Sequence, residues 1–189
     1  MGLLDVITGR RKLKAPAPDR LFALTTAYVK FETELEIRSR GSAGIVFQPL
    51  ETADFRAIVG DMEQVVAGTS SDSGTKVEAQ DDPYGYRWMV LRDTDFDDLV
   101  VGVNAVGSAL EGGGYGERIL CSVFAFEDSK KRPLYWIYNY KRGAFYPFAP
   151  AGKEARDTER ELRLKAQVGP ELPIEAELER WFPLWGIPI

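Results

Sequence analysis

Four groups of residues in this chain carry side chains that could do chemistry. Asp93-Thr94-Asp95-Phe96-Asp97-Asp98 opens like a calcium-binding loop, in which alternating carboxylates supply hard oxygen ligands. Such a loop needs glycine at its sixth position and a bidentate glutamate at its twelfth. Asp98 and Asn104 stand there, so the run reads instead as an acidic cap on a following helix, where the helix dipole favours carboxylates. Gly112-Gly113-Gly114-Tyr115-Gly116 has the glycine content of a phosphate loop. A dinucleotide fingerprint follows a strand and opens a helix. Here a helix precedes and a strand follows, so these glycines stop a helix. Neither GxxxxGK[ST] nor GxSxG occurs. Glu78, Asp81 and Asp82 could serve as general acid and base. That gives an enzyme reading by carboxylate or tyrosine chemistry in a cleft near Asp81–Tyr86, although nothing in the spacing brings two of the acids together.

The fourth group is aromatic. Tyr135, Trp136, Tyr138, Tyr140, Phe145, Tyr146 and Phe148 lie beside Lys141 and Arg142. They could form a stacking platform for nucleic acid. The plainer reading is a sheet with an aromatic core face, because such residues favour strands. The net charge of −5, from 24 Lys+Arg against 29 Asp+Glu, also lacks the basic footprint that nucleic-acid binding needs. No nucleic-acid partner is expected.

Composition narrows the classes further. The 189 residues, 44% hydrophobic and 12% aromatic, suffice for one domain with a proper core. The chain has no histidine, which removes Ser-His-Asp and Cys-His arrangements and HExxH zinc sites. A single cysteine, Cys121, rules out an internal disulfide or a cysteine zinc cluster; placed mid-strand, it reads as a core residue. No cofactor or metal is expected. No run approaches the ~20 apolar residues of a membrane-spanning helix. The opening MGLLDVITGRRKLK places its charges after a short apolar part, unlike a signal peptide. The expected location is cytoplasmic.

The elements that must position these groups follow from periodicity. Residues 1–18 read as an amphipathic, basic arm and linker; residues 1–14 could touch a membrane surface or simply pack or fray. Residues 19–150 read as an α+β domain, and 151–189 as a helical C-terminal extension packed on it. Asp19 is a good cap for a helix over Arg20–Leu35, with Leu21, Leu24, Tyr28, Phe31 and Leu35 on one stripe. Arg38–Gly44 reads as a loop and Ile45–Leu50 as a short strand. Thr52 caps a helix over Ala53–Val66, and residues 68–74 (GTSSDSG) read as a flexible loop. Strands are expected at Thr75–Gln80 and Tyr86–Arg92, and a helix at Leu99–Leu110. The aromatic meander then runs through Ile119–Phe126, Leu134–Tyr140 and Ala144–Phe148, the first strand covered on both faces and the last at an edge. In the first strand Ile119, Cys121, Val123 and Ala125 should point one way. A charged helix at Asp157–Val168 and a short one at Ala176–Trp181 precede the apolar end WFPLWGIPI, which should either fold back on the core or dock on a partner.

Segments across the whole chain resemble one family: MGLLDVITGRRK, FALTTAYVKFETEL, YGYRWMVLRD, DDLVVGVNAV, YWIYNYKRGAFYPF, RDTERELRLKAQ and ELERWFPLWGIP are similar to the PspA-associated protein family PspAB. The resemblance implies an accessory role in the phage-shock, envelope-stress system built on PspA, a membrane-binding coiled-coil protein. It also implies a link with HtpX-type membrane proteases. It carries no catalytic residues. The order α-β-α-β-β-α-β-β-β-α also looks like type III secretion chaperones and YbjN-like proteins. That likeness implies an antiparallel sheet with helices packed mainly on one face and the other face or an edge free for a partner or for a homodimer. The expected role is thus non-enzymatic binding of a protein partner, with Trp136, Tyr138, Tyr140, Lys141, Arg142, Trp181 and Trp185 as contacts. The alternatives are the carboxylate or tyrosine enzyme and a peripheral membrane adaptor acting through the N-terminal arm.

Overall fold

Alternating apolar runs give strands, and the stripes between them give helices that must cover those strands. A computed structural model of the chain describes residues 20–62 and 74–189. The N-terminal arm, the Asp19 cap, the end of the second helix and most of the 68–74 loop lie outside the described residues. In chain order the elements are α1 (Ala23–Glu34), β1 (Ile37–Phe47), α2 (helical at 53–62), β2 (Lys76–Asp81), β3 (Arg87–Arg92), α3 (Phe96–Gly112), β4 (Ile119–Asp128), β5 (Pro133–Asn139), β6 (Ala144–Phe148) and α4 (Thr158–Val168). The strands form one open six-stranded sheet in the order β2-β3-β1-β4-β5-β6, antiparallel throughout. The class is α+β.

Alternation along each strand makes two apolar faces. Ile45, Leu91, Phe124, Phe126, Trp136 and Tyr138 point to the face that carries the helices, with Phe31 of α1, Phe55 of α2, Val103 of α3 and Leu164 of α4 packed on them. Val46, Trp88, Val90, Val123, Ile137 and Phe148 point to the opposite face. β4 sits in the middle, apolar on both sides, and β6 forms an edge with Pro147 opposite Trp136. The meander, the exposed strand β2, the turn at 82–85 and the glycine stop after α3 all fall where periodicity places them.

Four local expectations change. The expected loop at Arg38–Gly44 belongs to β1, which pairs with β4 from Ile37 and bulges between Ser39 and Ala43. Gly41 makes that bulge, at φ 67°, where a Cβ would stand 2.7 Å from the Asp93 carbonyl oxygen. Ile119 turns to the helix face and parts from Cys121, because the register shifts between Val46 and Phe47 and leaves Leu120 unpaired at the rim. α3 starts at Phe96 instead of Leu99, because Asp95 caps it by accepting from the Asp97 and Asp98 N–H groups. Finally, the expected helix at Ala176–Trp181 is one 3-10 turn, Leu178–Arg180. The Glu175 N–H is committed to the Phe145 carbonyl and the Glu177 N–H to the Glu175 side chain, so a longer helix cannot start there.

Candidate protein-interaction surface

The second sheet face, expected to be open to a partner, is covered by the chain's own end. Pro170 and Pro173 stop α4. The chain then runs beside the β6 edge: Phe145 donates its N–H to Pro173 at 2.7 Å and accepts from Glu175 at 2.8 Å, making a short parallel bridge at Ile174. Trp181, Leu184, Trp185, Ile187 and Ile189 follow, packed against the second apolar face. The Trp181 ring lies nearly parallel to Tyr146 at 6.3 Å, and Trp185 meets Phe148 edge-on at 5.1 Å. WFPLWGIPI therefore folds back on the core.

Charged side chains fasten this segment. Glu161 is fully buried; its carboxylate accepts the Ala149 N–H at 2.9 Å and takes two donors of Arg156, the shorter at 2.7 Å. Arg156 then donates from Nη1 to the Trp181 carbonyl at 2.6 Å and lies over the Phe148 ring. Arg142, in the β5–β6 turn, pairs with buried Glu175 at 2.9 Å and reaches Glu177 at 3.5 Å. Burial works to raise the Glu175 carboxyl, but the Arg142 guanidinium and the Glu177 N–H outweigh it and hold it below the usual carboxylate range. Tyr146 donates its hydroxyl to the Phe182 carbonyl at 3.1 Å, and Lys165 donates to the Ala176 carbonyl while sitting over the Trp181 ring.

The seven expected contact residues divide sharply. Trp136 and Tyr138 are fully buried under the helices, Tyr140 and Trp181 nearly so. Trp136 stacks on Phe31 at 5.4 Å, and the Tyr140 hydroxyl bonds Ser122 at 2.8 Å inside the core. Four of the seven are thus interior groups, because both sheet faces are roofed. Lys141 and Arg142 are exposed on the turn, and Trp185 is half-buried. Sequence reasoning missed two exposed apolar residues on the same segment, Leu178 and Phe182, the latter 60% exposed. It also missed the Arg156–Glu161 clamp, since both residues looked like members of a solvated charge run.

The other groups with chemical potential are committed to structure. Asp81 takes two donors from Arg87 at 2.7 and 2.8 Å, and this pairing holds its carboxyl below the usual range. Asp82 braces its own turn, accepting from the Tyr84 and Tyr86 N–H groups and from the Trp88 indole. Glu78 is exposed on β2, so these three acids do not converge. A depression of about 290 Å³ nearby, between Leu50, Arg56, Gly85 and Arg87, contains no paired carboxylates beyond the Asp81 ion pair and Glu51 on its wall. Asp95 caps α3, as expected of that run, and Asp93 accepts the Asp95 N–H just ahead of the helix. Among the described residues no cluster of three carboxylate, histidine or cysteine ligands forms, and no helix is long and apolar enough to cross a membrane. Cys121 lies in the second apolar cluster with its thiol pushed up to about 12 by burial.

No curated protein and no solved structure matches the chain. A family model described as PspA associated protein B matches residues 1–189, so the chain belongs to the PspAB family.

Proposed function

We propose that the chain is a non-enzymatic accessory protein of the PspA-linked envelope-stress response. It works in the cytoplasm or at the inner face of the membrane by binding a protein partner. The family's description as PspA-associated supports a partner of the PspA type. The observation that carries the choice of surface is the exposed apolar pair Leu178 and Phe182, on the segment whose Glu175 and Glu177 pair with Arg142 of the cationic turn Lys141-Arg142. Half-buried Trp185, packed on Phe148, lies next to this surface and not in it. Aromatic anchors with a polar rim are what a transient protein interface requires. Trp136, Tyr138, Tyr140 and Trp181 support that surface from inside without reaching it.

The test is titration calorimetry of the purified chain with a purified PspA-type coiled-coil protein. The full-length variant Phe182→Ser/Leu178→Ser should weaken binding at least ~5-fold, the loss of one modest hot spot. It should melt where the parent does. If the parent binds and this variant binds equally well, the surface is wrong. If the parent does not bind, direct association with PspA is refuted, and the cytoplasmic part of an HtpX-type protease becomes the partner to titrate.

A further inference from the structure

The C-terminal segment is held in two different ways. From Pro173 to Phe182 every few residues are clamped: Arg142 on Glu175, Lys165 on the Ala176 carbonyl, Arg156 on the Trp181 carbonyl and Tyr146 on the Phe182 carbonyl. The clamps end at Phe182. Among the described residues, none of 183–189 makes a hydrogen bond. Pro183 and Pro188 have no N–H to offer a strand, and Gly186 turns the chain at φ 72°. This tail stays on the sheet by apolar contact alone, through Trp185 against Phe148 and through Ile189, which is 8% exposed. Apolar contact is non-directional and roughly proportional to area. A different segment with similar side chains can therefore satisfy the same face.

We propose that residues 183–189 are a displaceable, built-in occupant of a peptide slot on the second sheet face. The occupant that replaces them is a short apolar partner segment carrying an aromatic residue, in the image of Trp185. The identity of that partner rests on the proposed function; the existence of the slot does not. Displacement would be local, because the clamps up to Phe182 leave the β6 edge and the helix face intact.

Cys121 supplies the reporter. It is the chain's only cysteine and is 8% exposed in the cluster that the tail covers. It also lies near Tyr146, whose hydroxyl is pushed up by burial and by the neighbouring Cys121 thiol. In the intact protein, a colourless thiol reagent such as Ellman's disulfide should label Cys121 at a rate that rises with urea far less steeply than global unfolding does. That shallow slope marks a local opening, which exposes only the small apolar surface under the tail. The full-length double variant Trp185→Ala/Ile189→Ala should label at least ~10-fold faster while keeping a cooperative melt. A synthetic peptide of residues 182–189, added in excess, should restore protection to that variant; the same peptide with the two alanines should not.

Labelling of the intact protein that tracks global unfolding would overturn the proposal. So would a folded double variant with an unchanged rate, or a native-sequence peptide that gives no protection. A shift of the double variant to dimers as its concentration rises, with protection following the dimer, would assign the slot to a second copy and overturn the partner segment. PspA binding is not read in any arm, so the slot and the proposed function fail separately.

Discussion

Replacing Glu161 by alanine should destabilise the protein by about 3 kcal/mol, the low end of the range for breaking a buried ion pair. Two groups lose a partner and one apolar group is removed. The Ala149 N–H, now bonded at 2.9 Å in a residue with no exposure, becomes an orphan donor, at about 1–2 kcal/mol. One buried methylene is removed, at about 0.8 kcal/mol. Arg156 loses its bidentate carboxylate, but its side chain is 24% exposed and keeps the Trp181 carbonyl, so it turns part of its charge to water. That escape is why the low end applies. For a chain of this size, about 3 kcal/mol lowers the melting temperature by roughly 6–12 °C. Urea unfolding followed by circular dichroism should show the midpoint falling with an unchanged slope. Glu159→Ala is the control. Glu159 is paired with Arg163 but is 84% exposed, and its loss should not be measurable. If Glu161→Ala costs less than about 1 kcal/mol, in the range of surface changes, the buried clamp does not hold the segment and the reasoning fails.

Three further outcomes follow from the same geometry. Because Glu175 is held below its ordinary value, its contribution is present above the unfolded-state value of about 4.3 and lost as pH falls through the lower folded value. The stability gap between the parent and Glu175→Gln should therefore close below about pH 4; a gap that stays constant in urea titrations down to pH 3 would exclude the ion pair as its source. Trp136→Ala should cost about 3–5 kcal/mol, since the ring is fully buried against Phe31, while Phe182→Ala should stay within about 0.5 kcal/mol. Equal losses in thermal melts would contradict the placement of one inside and the other outside. Gly102→Ala puts a Cβ 2.5 Å from Leu91 Cδ2, so overpacking of about 1–3 kcal/mol should outweigh the helix gain of about 1 kcal/mol. In a Leu91→Ala background the same change should become neutral or stabilising, and strict additivity in the cycle would refute the clash.

What could be read from residues alone divides along a physical line. Contiguous patterns were legible: the two-sided apolar run of β4, the alternation of β3 and the aromatic strand β5 set the α+β class and put the right residues inside. Departures from period two were not. Arg38, Ser39 and Arg40 look like loop residues because a strand that bulges at Gly41 interrupts its own alternation. Leu120, left over at a register shift, reverses the direction of Ile119. Burial of charge was equally hidden. Glu161 sits among alternating charges on α4, and only its meeting with Ala149 and Arg156 takes it out of water. The surface was misjudged for one reason. Whether Trp136 and Trp181 face solvent depends on what covers the sheet. For Trp136 that cover is Phe31 of α1, far earlier in the chain, and on the second face it is the chain end itself, which carries Trp181, in both cases through contacts that no local spacing encodes.

The covered sheet limits where a partner can gain affinity. β6 is flanked by residues 173–175, and the free edge at β2 is short and bears Lys76, Glu78 and Asp81, features that discourage strand addition. Both faces are roofed. The exposed aromatic Phe182 then stands at the one position where the hydrogen-bonded part of the segment gives way to the part held by apolar contact. A partner gripping Phe182 pulls on Pro183 directly, and whatever free energy it gains in the tail-open state must exceed what the tail loses on leaving Phe148. By linkage, the factor by which tail opening tightens the partner equals the factor by which the partner opens the tail. Trp185→Ala/Ile189→Ala should accordingly tighten partner binding, the opposite of what removing two ordinary contact residues does. Weaker binding by that variant would place Trp185 in the interface itself and sever the connection between docking and release.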